Sequence, residues 1–200
     1  MEISLIRHGK SKQIENNRLT SQEFQDWVKK YDTSGVFEEN NYPERTLEKV
    51  AAANLLVTSD LKRSIDSASL LHQQKRVISD SLFREAELPV LSSKWRVKFS
   101  PNSWAIFLRC LWYSGYARQC ESLANARQRA ERAAIQLVKY AEEHHSVVLV
   151  GHGFFNRLIA EELENMGWEG NRKTSAKHWN CTTYSFSTEK EKPIRRNGYS

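Results

Sequence analysis

Val147-Val148-Leu149-Val150-Gly151-His152-Gly153 is the stretch on which the fold turns. Four branched apolar residues closed off by glycine predict a short buried strand. The residues after it change period. From about Phe154 to Met166 the pattern is helical, and Gly167 supplies the C-terminal stop. Upstream, about Ser122 to Glu143 is rich in Ala, Arg, Glu and Leu, all good helix formers. A buried strand between two long helices is the repeating unit of a layered α/β fold.

The same unit recurs outward. Ile3 to Ile6 is a short apolar strand that ends in Arg7-His8-Gly9. Asn54 to Thr58 is another, followed by Ser59-Asp60 and a helix from about Leu61 to His72. Arg76 to Ile78 reads as a short strand, and Cys181 to Ser187 alternates as a final one. Thr20 and Glu23 form a capping box in front of Phe24, Trp27, Val28 and Tyr31, which recur at helical spacing until Ser34-Gly35. Pro43 fits the first turn of a helix that reaches about Ala53. Ser79 to Val90 reads as irregular. Strands alternating with helices predict a largely parallel sheet, and ligands of such sheets bind at the carboxyl ends of the strands.

Four short motifs sit after strands. In Arg7-His8-Gly9, the missing Cβ of Gly9 would let backbone approach a ligand. In Gly151-His152-Gly153, an imidazole stands before a helix whose free N–H groups and dipole favour an anion, although a tight structural turn has the same look. In Ser59-Asp60-Leu61-Lys62-Arg63-Ser64, Arg63 falls at a helix start, where the dipole disfavours a cation, so it is placed either to meet an anion or simply in solvent. In Phe83-Arg84-Glu85-Ala86-Glu87-Leu88, either carboxylate could be a general acid or a loop charge.

In this order the four motifs resemble the histidine phosphatase superfamily, which includes phosphoglycerate mutases and many phosphatases. The likeness runs from Ile3 to about Phe186. It implies a three-layer α/β/α sandwich with a mostly parallel central sheet and a small helical cap insertion, one domain over residues 1–200 with the cap at about 91–120. It implies His8 as the nucleophile that becomes phosphohistidine, Arg7 and Arg63 as the phosphoryl clamp, and His152 as the second histidine on the transferring group. Glu85 matches the acid, two residues after Phe83, with Glu87 as the fallback. Ser11 falls near the phosphate pocket, and Ser59 lies near the site without a catalytic part. Lys10, Asp60 and Leu88-Pro89 depart from common family residues at the pocket rim and bear on the substrate.

The expected reaction is metal-independent hydrolysis of a phosphomonoester, with no cofactor and no metal ligands. The substrate would be a phosphorylated small molecule or phosphoprotein. Mutase-type transfer and a non-catalytic phospho-ligand module are the alternatives. The bulk numbers agree with a folded enzyme: 200 residues, 40% hydrophobic and 27% charged, with a mean hydropathy of −0.65. The net charge of +6 comes from scattered Lys and Arg, so neither a nucleic-acid partner nor a membrane is expected. Three unpatterned cysteines, Cys110, Cys120 and Cys181, and no visible signal peptide fit a cytoplasmic chain with reduced thiols. The segment from about Leu91 to Cys120 mixes aromatic and basic residues. Its aromatics fit a small helical subcore, and its charges either face solvent or select an acidic substrate.

Overall fold

The computed structural model describes residues 1–72, 76–92, 97–171 and 174–187. Lys94, Trp95 and Arg96 of the basic-aromatic segment, and the polar tail from Glu189, lie outside the described residues. Six strands form one sheet: β1 (Glu2–Arg7), β2 (Leu55–Thr58), β3 (Val77–Ser79), β4 (Ser146–Gly151), β5 (Glu169–Gly170) and β6 (Cys181–Ser185). Their order is β3-β2-β4-β1-β6-β5. The four strands from β3 to β1 run parallel, and β6 and β5 pair antiparallel at the other edge. The sheet is therefore mostly parallel, as expected.

The helices among the described residues are α1 (Ser21–Thr33), α2 (Glu44–Ala52), α3 (Lys62–Leu71), α4 (Pro101–Tyr113), α5 (Leu123–His144) and α6 (Gly153–Asn165). Pro43 is the N-cap of α2 rather than part of its first turn; a missing N–H costs nothing at either place. The irregular stretch after β3 contains one 3-10 turn, Ser81–Phe83, capped by the Asp80 side chain.

Strand alternation divides the core into two layers. Ile3, Leu5, Leu55, Val57, Val147 and Leu149 face the alanine stripe of α5 and the apolar face of α6. Ile6, Leu56, Val148 and Val150 face Val50 and Ala53 near α2 and Ala68 and Leu71 of α3. Helices on both sides of one sheet make the three-layer sandwich. Ser4 is buried on an otherwise apolar strand, and the Thr183 hydroxyl at 2.9 Å satisfies it.

A third, smaller core lies outside these layers. Leu19 and Phe24 of the α1 region pack on Leu91 and on Trp104 and Leu108 of α4. Trp104 is fully buried, and its indole N–H donates to the Leu19 carbonyl at 2.7 Å. Trp112, about two turns further along α4, packs into the main core instead. Trp104 and Phe107 of α4 thus fill a helical subcore, and that subcore includes α1, which the sequence assigned to no cap.

Candidate active site

Strand register brings the two histidine motifs together. β1 and β4 are neighbours, with Arg7 level with Gly151. His8 and His152 follow directly, and their rings lie 5.1 Å apart, edge to face. β2 is the next strand over, so Ser59 leaves it beside His152. The Ser59 hydroxyl and His152 Nε2 are 2.7 Å apart. Ser64 locks this turn by accepting from the Ser59 N–H at 3.1 Å and donating to the Val150 carbonyl.

The glycines of these motifs are required by packing. A Cβ on Gly9 would run into the Trp179 indole. Gly9 therefore makes room for a side chain of the protein, where the sequence pointed to a ligand. A Cβ on Gly151 would strike the Asn156 amide, and one on Gly153 would come to 3.2 Å from the Arg7 side chain. Trp179 itself has φ +64, strained for a bulky residue. It is held there by the Thr46 hydroxyl on its carbonyl at 2.6 Å, by its own N–H on the Arg7 carbonyl at 2.9 Å, and by Glu39 on its indole N–H at 2.7 Å.

His8 is buried, and its Nδ1 lies 2.7 Å from the Gly9 carbonyl. A carbonyl only accepts, so the neutral ring carries its proton on Nδ1 and keeps the Nε2 lone pair free. Burial, reinforced by Arg63, holds the His8 pKa well below the ordinary histidine value. Burial, then Arg63 and His8, does the same for His152. Both imidazoles are thus neutral at pH 7.

Arg63 is on the first turn of α3 and only 3% exposed. It is not the solvated surface arginine that its position allowed. Its guanidinium lies 4.6 Å from the centre of the Tyr31 ring, and Nη1 donates to Asp32 at 2.8 Å. Arg7 donates Nη1 to the Ala176 carbonyl. Three buried nitrogens of this group have no hydrogen-bond partner: Arg7 Nε, Arg63 Nε and His152 Nδ1. Buried polar groups are nearly always satisfied, so such a concentration around one histidine leaves donors available to an anion.

Glu85 is half-buried and lines a cleft of about 340 Å³ with Arg7, Gly153, Phe154, Arg157 and Ala176. Its two oxygens accept the N–H groups of Phe154 at 3.1 Å and Phe155 at 2.8 Å. The start of α6 is therefore occupied by a carboxylate of the protein, where the sequence left it open for phosphate. The neighbouring Glu87 is exposed. Ser11 is buried, and its hydroxyl accepts the Gln13 N–H at 3.2 Å within its own turn. Asp60 forms a two-pronged ion pair with Arg84. A larger cleft of about 460 Å³, lined by residues such as Lys12, Val36, Asp66 and Leu70, holds none of these groups.

Three site residues escaped the sequence: Tyr31, Asp32 and His178. His178 donates Nδ1–H to the His8 carbonyl at 2.8 Å, and its ring is 5.5 Å from that of His8. Nothing local marks it, since the contact spans 170 positions. The helical spacing that includes Tyr31 identified α1 but not what its last turn would face.

Comparison with known proteins agrees with this fold. A family model described as the histidine phosphatase superfamily (branch 1) matches residues 3–197. No curated protein matches the chain. Among solved structures, the product of an open reading frame of Mycobacterium tuberculosis superposes with a TM-score of 0.58 at 15% identity, covering 94% of this chain and 92% of that one. Phosphoserine phosphatase from Entamoeba histolytica, solved with 3-phosphoglyceric acid, gives 0.56 at 16% identity and 91% and 89% coverage. Mycobacterial glucosyl-3-phosphoglycerate phosphatase gives 0.53 at 20% identity and 81% and 78% coverage. At these identities the likeness speaks for the fold. Among the described residues, no helix is long and apolar enough to cross a membrane.

Proposed function

We propose that this chain, which belongs to the histidine phosphatase superfamily (branch 1), hydrolyses a phosphomonoester through a phosphohistidine formed on His8. The observation that carries the reading is the set of unpartnered buried nitrogens on Arg7, Arg63 and His152 around a neutral His8. A tetrahedral phosphoryl group has the charge and the acceptors to satisfy all of them. That two of the structural neighbours are phosphatases supports hydrolysis over mutase transfer.

In the first half-reaction, His8 Nε2 attacks phosphorus as the bond to the leaving oxygen breaks. Glu85, protonated for this step, gives its proton to that oxygen. Arg7 and Arg63 stabilise the charge that spreads over the equatorial oxygens. With the Ser59 hydroxyl donating to His152 Nε2, the His152 proton sits on Nδ1, the atom left free to bind a phosphoryl oxygen. In the second half-reaction, Glu85 takes a proton from water, the water oxygen bonds to phosphorus, and the P–N bond breaks. The released phosphate restores free His8. Glu85 is favoured over Glu87 because it shares a cleft with Arg7 and Glu87 faces solvent. The reading calls for no metal, since the two guanidiniums supply the positive charge and neutral His152 adds an N–H donor. The substrate class is a phosphorylated small molecule or phosphoprotein.

The test is phosphate release from 4-nitrophenyl phosphate in the presence of chelator, wild type beside His8→Ala. Removing the nucleophile should lower the rate by more than roughly 10³-fold, and wild type quenched in turnover should carry acid-labile phosphate on His8. Equal release by both proteins would reject the mechanism.

A further inference from the structure

The loop that carries Glu85 is gripped on both sides by arginines that take no part in the chemistry above. Arg109, on α4, donates to the Ala86 carbonyl at 2.7 Å and the Glu87 carbonyl at 3.3 Å. Its guanidinium lies against two rings, 4.8 Å from that of Trp112 and 4.4 Å from that of Phe154. Arg129, on α5, donates to the carbonyls of Leu82 at 2.9 Å and Arg84 at 2.8 Å. It lies 3.7 Å from the centre of the Phe155 ring and pairs with Glu121. The carbonyls so captured flank Glu85 on either side. The rings so covered belong to Phe154 and Phe155, whose backbone N–H groups bind the two Glu85 oxygens. Each arginine therefore fixes both the backbone that carries the carboxylate and the helical turn that receives it.

We infer that Arg109 and Arg129 are positioning residues for Glu85, holding its carboxylate in place through four loop carbonyls and two phenylalanine rings. The inference rests on the reading of Glu85 as the proton-transfer group. Physical need and residue type agree. Apart from the 3-10 turn, this stretch is in no helix or strand, so its carbonyls need side-chain donors. A planar fork can serve two carbonyls and two ring faces at once, which a lysine cannot. Arg129 also neutralises Glu121, so removing it would leave a partly buried carboxylate without its partner. Among the described residues Arg109 has no ion pair, and its removal is the cleaner test.

Rates are compared on an alkyl phosphate, whose leaving oxygen needs a proton, and on 4-nitrophenyl phosphate, whose leaving group does not. The proteins are wild type, Glu85→Gln, Arg109→Met, Arg109→Lys and the Glu85→Gln/Arg109→Met double variant. Arg109→Met should lower kcat/KM, which reports the first half-reaction and not the water step common to both esters, about 100-fold on the alkyl ester and less than about threefold on the aryl ester. In the Glu85→Gln background it should add less than about twofold, because the group it positions is gone. Equal losses on both esters, or full additivity, would overturn the inference and leave Arg109 a stabiliser of the fold. If Glu85→Gln itself shows no dependence on the leaving group, the reading of Glu85 fails instead. Should Arg109→Met not fold, Arg109→Lys is judged by the same ratio of the two esters.

Discussion

In the proposed reaction Arg63 would meet its anion already engaged. One nitrogen of the guanidinium is held by Asp32, a carboxylate 43% exposed at its side chain. That contact orients the fork, and it also sets a negative charge beside the place where a phosphoryl group would sit. Two unit charges about 4 Å apart repel by about 1 kcal/mol even in water, close to a fivefold change in affinity. Asp32→Asn keeps an acceptor for Arg63 and removes the charge. Inorganic phosphate should then inhibit roughly fivefold more tightly, measured as a competitive inhibition constant. Weaker inhibition would mean that Asp32 serves Arg63 by orientation alone. The same residues show what a sequence can disclose. His8, Arg7, His152 and Arg63 were legible because each stands directly beyond a strand or on the first turn of the helix after one. Asp32, Tyr31 and His178 were not, because only tertiary packing brings the first two to Arg63 and the third to His8. Gly9 was singled out for its backbone freedom, but the group that needs the space, Trp179, lies far along the chain.

At the scale of elements, α1 joins the small core to the site. Its first turns pack Phe24 against Trp104, and its last turn delivers Tyr31 and Asp32 to Arg63. The helix starts at a complete capping box: Thr20 Oγ1 accepts the Glu23 N–H at 3.3 Å, and Glu23 accepts the Thr20 N–H at 2.7 Å. The Thr20 N–H and hydroxyl, both donating to the Glu23 carboxylate, hold its carboxyl below its ordinary pKa. Thr20→Ala removes one side of the box, at a cost of about 1 kcal/mol. If α1 opens independently of the sheet, amide exchange should rise about fivefold along α1 and stay unchanged in β1 and β4. A uniform rise would show that α1 opens only with the whole molecule. The capping box was visible in the sequence because its spacing is local, and β4 was visible because a buried parallel strand is a continuous apolar run. β5 was invisible, since Glu169-Gly170 is a strand only by pairing with β6. The partnership of α1 with α4 was invisible for a related reason: both amphipathic faces are plain, but nothing local says which meets which.

The whole molecule carries the cost of its site as a dependence on acid. His8 is 3% exposed and His152 fully buried, and both have pKa values well below 6.5 because burial and Arg63 disfavour the charged ring. Unfolding restores the ordinary value. Between the two pKa values the unfolded chain binds a proton that the native ring refuses, so stability falls as pH falls. Above about 6.5 both states are neutral and the contribution is fully present. Each histidine contributes a slope of at most about 1.4 kcal/mol per pH unit within that window. His178, lowered first by burial and then by Arg7, acts in the same direction. The carboxylates with lowered pKa, Glu23 and Asp60, lose their contribution only below their ordinary values of 4.5 and 3.8, so they do not enter between pH 6.5 and 5. Urea unfolding should therefore give nearly constant stability from pH 8 to 7 and a decline from 6.5 toward 5, steeper than one histidine can produce. His8→Gln should remove close to half of the slope due to the two buried rings while leaving the plateau at high pH. An undiminished slope in that variant would mean that His8 is not held neutral in the native state, and the nucleophile proposed here would lose its free lone pair at neutral pH.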